Sequence, residues 1–253
     1  MEELPPQLLD KIFDYLKFKD LISFGVTTKA SYEYFKDKKQ DIDKYINSTN
    51  IDNLIEQNYN YIDYAIQKTK YNKWNQVLKC ACKSGHLEIV NLMIEKGAYE
   101  WNEGLINACK GGHLEIVNLM IEKGANNLDD GLDEACYSGY IEIVKLMIEK
   151  GANDWNYGLC GACSGGHLEI VKLMIEKGAN HWNLGLSGAC YGGHLEIVQY
   201  MIEKGADDCN WGLNNACNSR NLDIIQLMLN KGASIDNITD NNKKWLKNNG
   251  LMP

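Results

Sequence analysis

Residues 155–181 read WNYGLCGACSGGHLEIVKLMIEKGANH, and the stretch returns with few changes on both sides of itself. Its Ala162-Cys163 step recurs as Ala81-Cys82, Ala108-Cys109, Ala135-Cys136, Ala189-Cys190 and Ala216-Cys217, each 27 residues from the next. Six units follow, at 74–100, 101–127, 128–154, 155–181, 182–208 and 209–235. A fixed period of this size marks a repeat array. Each unit carries two helical patterns. The first is short, as from Gly158 to Ser164, and Gly165-Gly166 ends it, since glycine permits a tight reversal. The second runs from His167 to Lys177, with Leu168, Val171, Met174 and Ile175 at helical spacing and Ile170 and Leu173 widening the stripe. Glu169 in its first turn and Lys177 in its last suit the helix dipole. Gly178 stands where a left-handed C-cap belongs. One such hairpin buries too little to fold alone, whereas stacked neighbours bury a continuous core. The expected fold is therefore all-α, a helical-hairpin solenoid.

The alanine of the first helix, followed by G-H-L-E-I-V-K-L-M-I-E-K-G-A, resembles the ankyrin repeat, and the match recurs six times. The usual ankyrin unit has about 33 residues. Here the link between Gly178-Ala179 and the next helix is short, so the resemblance implies hairpin fingers reduced to tight loops. Short units rich in lysine and asparagine also resemble those of giant DNA viruses. Residues 51–73 read as a degenerate capping repeat. In the sixth unit Arg220, Asn221, Asp223 and Asn230 make the outer face polar, as a terminal repeat requires. Residues 236–253 then form a C-terminal cap, with a short helix around Lys243–Lys247 and Trp245 packing back.

The head departs from the period. Leu8, Leu9, Ile12, Phe13 and Leu16 form one stripe of a helix begun by Pro5-Pro6. Asp20 can cap a second helix that carries Leu21, Ile22 and Phe24. Tyr32, Tyr34 and Phe35 suggest a third. The series Leu4-Pro5, Leu8-Leu9, Ile12, Tyr15-Leu16, Asp20-Leu21, Val26 resembles the F-box. In that family the segment docks on the Skp adaptor of cullin–RING ubiquitin ligases. Position by position, the resemblance implies that Leu4, Pro5, Leu8, Ile12, Leu16 and Leu21 meet the adaptor. Thr27-Thr28-Lys29-Ala30 lacks the usual basic, tryptophan-containing stretch. The other reading of residues 1–37 is a helical cap over the solenoid end. Residues 38–50, polar and lysine-rich, read as the linker.

Composition narrows the function. The formal net charge is -8, and Arg220 is the only arginine. An acidic chain gains nothing from counterion release on a polyphosphate, so nucleic acid is not an expected partner. No apolar run is long enough to span a bilayer. Nine cysteines without a signal-like start point to a reducing compartment, the cytosol or nucleus (host cytosol if the chain is viral).

The repeated residues include types that carry chemistry elsewhere. Cys80-x-Cys82 and Cys160-x-x-Cys163 each lack the second half of a zinc site. Six of the nine cysteines hold one repeat position beside alanine, where a small apolar thiol packs between helices. His86, His113, His167 and His194 also share one position and are expected to hydrogen-bond a neighbouring loop. Trp74, Trp101, Trp155 and Trp182 are expected to fill space left by the missing fingers. Neither a nucleophile–base constellation nor a phosphate-cradling glycine loop is present. No enzyme, metal or cofactor is expected.

The units differ at their third, sixth, seventh and tenth positions, all on the first helix. The resemblance implies that this helix lines a concave face. Lys79, Lys83 and Lys110 make its early part basic, Asp133 and Glu134 its middle acidic, and Tyr137, Tyr157, Tyr191 and Trp211 its remainder aromatic. Exposed tyrosine and tryptophan beside small residues are typical binding anchors. These nine residues are the expected target site of a monomeric protein-binding adaptor. Two functions fit it: a substrate receptor joined to a Skp–cullin ligase, or a stand-alone binding or sequestering protein.

Overall fold

Every repeat folds as a pair of antiparallel helices. The computed structural model describes residues 74–250. The expected head (1–37), linker (38–50) and degenerate repeat (51–73) lie outside the described residues. The chain divides into two compact units, Met1–Glu100 and Trp101–Pro253. The first contains α1 (Trp74–Ser84) and α2 (Leu87–Glu95). The second contains α3 (Trp101–Gly111), α4 (Leu114–Glu122), α5 (Leu128–Ser138), α6 (Ile141–Lys150), α7 (Trp155–Gly165) and α8 (Leu168–Lys177). It continues through α9 (Trp182–Gly192), α10 (Leu195–Glu203), α11 (Cys209–Ser219), α12 (Leu222–Asn230), a 3-10 turn at Ile235–Asn237 and α13 (Asp240–Asn248). No strand occurs among the described residues. Residues 178–181 alone join α8 to α9, so no finger projects there.

The first helices begin three residues earlier than their apolar pattern suggests. In the fourth repeat Asp154 is the N-cap, and its carboxylate accepts from the Tyr157 amide. The Trp155-Asn156-Tyr157 turn is thus set by capping rather than by burial, and periodicity does not register it. His167 stands outside α8 as its N-cap. At the other end Gly178 has φ 113°. Its amide donates to the Ile175 carbonyl, and the Ala179 amide to that of Met174, both at 3.0 Å. These are the two bonds of a Schellman motif.

The core is narrower than the expected stripe. Leu159, Ala162 and Cys163 of α7 meet Ile170, Val171 and Met174 of α8, all at most 2% exposed. Leu168, Leu173 and Ile175 are half-buried. At about 100° per residue they flank the arc of Ile170, Val171 and Met174. Those flanks turn toward the second helices of adjacent repeats, which touch one another sparsely. A helical glycine costs about 1 kcal/mol relative to alanine. Gly158 nevertheless sits where space is short, because a Cβ there would lie 2.7 Å from Met174 Sδ, a flexible side chain that would have to shift, and 3.4 Å from Cys136 Sγ.

At the C-terminal end α13 lies against α11. Thr239 caps it, its hydroxyl accepting from the Asn242 amide at 3.4 Å. The helix is longer than the Lys243–Lys247 stretch expected. Leu246 is fully buried, while Trp245 is half-buried.

Candidate protein-binding face

Within Trp101–Pro253 the first helices α3, α5, α7, α9 and α11 pack closely side by side, whereas the second helices barely meet. The first helices therefore form the tighter, inner side of this unit. Their third and tenth positions point outward at the two ends of the helix. Tyr157 and Trp211 at the third position are 62% and 42% exposed. Tyr137 and Tyr191 at the tenth are 46% and 59% exposed. Tyr137 and Tyr191 belong to repeats three and five, and the intervening repeat carries Ser164 instead. The two phenols thus wall an open groove floored by Ser164, Gly165 and Gly192.

The sixth and seventh positions are less available than variability suggested. Gly161 and Gly188 are buried, as is Ser187. A Cβ at Gly161 would collide with Asp133 Oδ1 and lie 2.8 Å from the Asp133 carbonyl oxygen. These small residues set helix spacing, so they vary under a packing constraint rather than for a partner. In the sixth repeat Asn215 donates to Ser187 Oγ at 2.9 Å. Asn214 and Asn218 accept from Asn242 of α13 at 3.2 Å.

The charges group differently from the expected gradient. In the first unit Lys79 pairs with Glu100 at 3.1 Å, and Lys83 is exposed. In the second, Lys110 pairs with Glu134 at 3.0 Å, which joins two expected site residues across neighbouring repeats. The basic end is therefore neutralised internally at Lys79 and Lys110. Asp133 lies half-buried beside this pair. Burial raises its pKa to about 6, and the carboxylates of Glu134, Asp130 and Asp154 add to the rise against the opposing effect of Lys110. The adaptor-facing set Leu4, Pro5, Leu8, Ile12, Leu16 and Leu21 lies outside the described residues.

The repeated cysteines and histidines serve the scaffold. Burial pushes the thiols of Cys82, Cys109 and Cys190 up to about 12 and those of Cys136 and Cys163 further still. Such thiols are poor nucleophiles and poor metal ligands. Among the described residues no group of three His, Cys, Asp or Glu side chains could hold a metal. His167 Nε2 lies 3.1 Å from the Tyr137 carbonyl oxygen, and His194 Nε2 lies 3.1 Å from that of Ser164. Each imidazole thus ties its repeat to the turn of the one before. Trp155 and Trp182 are half-buried at the start of their helices. Trp182 sits beside Gly205 in the loop that closes its own repeat.

One set of structural residues escaped the sequence reading. The second position of every unit is Asn or Asp, and its side chain clamps the loop at the end of its own repeat. Asn75 Oδ1 accepts from the Tyr99 and Glu100 amides at 2.8 and 3.3 Å. Asn102 does so for Asn126 and Asn127, and Asp129 for Asn153 and Asp154. Asn156 holds Asn180 and His181, Asn183 holds Asp207 and Asp208, and Asn210 holds Ser234. The signal was present in the near-invariance of that position. Attention to residues that vary passed over it.

These features define an all-helical repeat protein whose first helices offer an aromatic and acidic face. The chain belongs to the ankyrin-repeat family, whose model matches residues 78–158, 132–210 and 159–240 in three copies. An F-box domain model matches residues 1–42. Both are interaction modules rather than catalytic ones. Among solved structures, the human ASB11 ankyrin repeat domain is similar at 24% identity and a TM-score of 0.45. That likeness covers 62% of this chain and 84% of the human one. None of the curated proteins matches.

Proposed function

We propose that this chain is the substrate receptor of a Skp–cullin–F-box ubiquitin ligase. The observation that carries the reading is the presence, in one chain, of an F-box match at residues 1–42 and an ankyrin array bearing an open aromatic face. Leu4, Pro5, Leu8, Ile12, Leu16 and Leu21 would engage the adaptor. The array would hold the target through residues drawn from Lys79, Lys83, Lys110, Asp133, Glu134, Tyr137, Tyr157, Tyr191 and Trp211. Catalysis would lie in other subunits. This chain supplies proximity, which lowers the barrier by holding the target beside the transfer machinery. It acts as a monomer in the cytosol or nucleus; the resemblance of its units to those of giant DNA viruses favours a host cytosol.

Affinity capture from a eukaryotic lysate tests the reading. The full chain should recover a Skp adaptor and a cullin, and Leu8→Ala with Ile12→Ala should abolish that recovery while the helical signal of the array is retained. A full chain that recovers no Skp at micromolar concentration rejects the ligase role and leaves a stand-alone ankyrin binder.

A further inference from the structure

Charge on repeats three to six is sorted by helix. Their first helices, α5, α7, α9 and α11, carry Asp129, Asp130, Asp133 and Glu134 and no lysine or arginine. Every lysine of these repeats lies on or just after a second helix: Lys145, Lys150, Lys172, Lys177, Lys204 and Lys231. The carboxylates of the first-helix side are thus concentrated on α5 of repeat three, beside three uncharged first helices, with Arg220 following α11 as its C-cap, and Lys110 offsets one carboxylate, Glu134. Asp129 is occupied by the Asn153 and Asp154 amides. Asp130 stays exposed although its carboxylate accepts from the Asn127 side-chain amide, Asp133 is half-buried beside it, and Asp154 follows at the start of the next repeat, accepting from the Tyr157 amide.

The apolar part of the face adjoins this acidic part. Asp154 caps the helix that presents Tyr157, three residues on. Tyr137 rises from the same helix as Asp130 and Asp133, one turn past Asp133 and two past Asp130, and walls the groove with Tyr191. The floor of Ser164, Gly165 and Gly192 leaves backbone at the surface, so the groove admits a chain rather than a bulky domain. First helices pack about 10 Å apart. An extended polypeptide rises about 3.3 Å per residue, so roughly nine residues cross from repeat three to repeat six.

We propose that this face takes an extended, lysine- or arginine-bearing segment of a partner protein, its cation at Asp130 and Asp133 and its neighbouring residues between Tyr137 and Tyr191. The proposal rests on the reading of the first-helix face as the target site and gives that target a chemistry. Complementary charge sets partner choice and approach, while the aromatic anchors supply most of the affinity. Nucleic acid and anionic lipid are repelled by the same carboxylates.

The test selects a phage-displayed library of random 16-residue peptides on the full-length chain. Selected peptides should be enriched in lysine and arginine over the starting pool, and their binding should weaken steeply with salt, as charge screening requires. Asp130→Asn with Asp133→Asn should weaken them about tenfold, the order expected when a cation loses its partners at an interface. These changes remove repulsion, so the array stays folded, which circular dichroism checks. Tyr137→Ala with Tyr191→Ala should weaken the same peptides independently. Peptides without cationic enrichment, or indifferent to the Asn changes, overturn the inference. If those peptides still need Tyr137 and Tyr191, the face remains the target site. Binding that survives both sets of changes overturns both readings. An empty selection rejects a linear segment as occupant and leaves a folded partner. A concentration-dependent dimer that excludes the peptides assigns the face to a second copy of the chain and likewise overturns the proposal.

Discussion

Replacing Gly161 with alanine sets two effects of similar size against each other. Inside a helix alanine is favoured over glycine by about 1 kcal/mol. The new methyl, however, would lie 2.8 Å from the Asp133 carbonyl oxygen and 3.3 Å from the Tyr137 amide nitrogen. Both are backbone atoms of the preceding first helix, so no side chain can swing aside. Helices α5 and α7 must separate by several tenths of an ångström along their closest contact. Overpacking of this kind costs about 1–3 kcal/mol. Separation also loosens Leu159, Ala162 and Cys163 against their neighbours. The net expectation is a loss of up to about 2 kcal/mol, which for a domain of this size lowers Tm by up to about 8 °C. Urea and thermal unfolding followed at 222 nm would measure it. Gly158→Ala is the matched control, because its new methyl meets Met174 Sδ, the end of a flexible side chain. It should cost less than about 1 kcal/mol. If Gly161→Ala matched or exceeded the parent in stability, backbone approach at the seventh position would not set the helix spacing.

Three further outcomes follow from the same packing. Asn156→Ala removes the acceptor for the Asn180 and His181 amides and should cost about 1–2 kcal/mol, with faster hydrogen exchange at those two amides. Asn156→Asp should restore protection, since Asp129 does the same work in the third repeat. Asp133 has its folded pKa raised to about 6, above its value of about 3.9 in an unfolded chain, so the folded state binds the extra proton. Stability should accordingly fall as pH rises from about 4 to 6 and level off above, and Asp133→Asn should flatten that slope in pH-dependent urea melts. Glu134, Asp130 and Asp154 reinforce this dependence and Lys110 moderates it. Finally, a thiol reagent added to the native chain should modify at most the half-buried Cys80, Cys160 and Cys209, and all nine thiols after unfolding. Prompt modification of Cys109 or Cys163 would contradict a tightly closed core.

The helical hairpins were legible in the sequence because Leu168 to Gly178 combines apolar period, dipole-suited charges and a capping glycine within eleven residues. The buried Ala162-Cys163 pair was legible because six identical steps leave packing as the simplest common demand. Local periodicity could not show that Leu173 and Ile175 are only half-buried, since that depends on how far adjacent second helices diverge. Nor could it separate the two causes of variation on the first helix. Tyr157 varies on an open surface, whereas Gly161 varies against a neighbouring backbone, and both look alike in an alignment of the repeats. The Lys110–Glu134 pair also needs the register of one repeat on the next. Asp133, Tyr137 and Tyr191 were legible as candidates, but the place of Asp130 beside them and the groove between the two tyrosines appear only when the repeats are stacked.

The clamp at the second position closes each repeat on itself, while the imidazoles of His167 and His194 reach back to the repeat before. A unit therefore carries its own closure, and where the imidazole position holds histidine it also carries the same rearward coupling as the next. Copying or deleting one 27-residue segment by recombination between near-identical stretches would keep each clamp intact while altering pair-specific contacts such as Lys110–Glu134. The chain can in this way change the length of its recognition surface in whole steps, shifting an aromatic or acidic unit relative to the rest without redesigning the core. Selection for a new partner can then act on unit number and unit order before it acts on any single side chain.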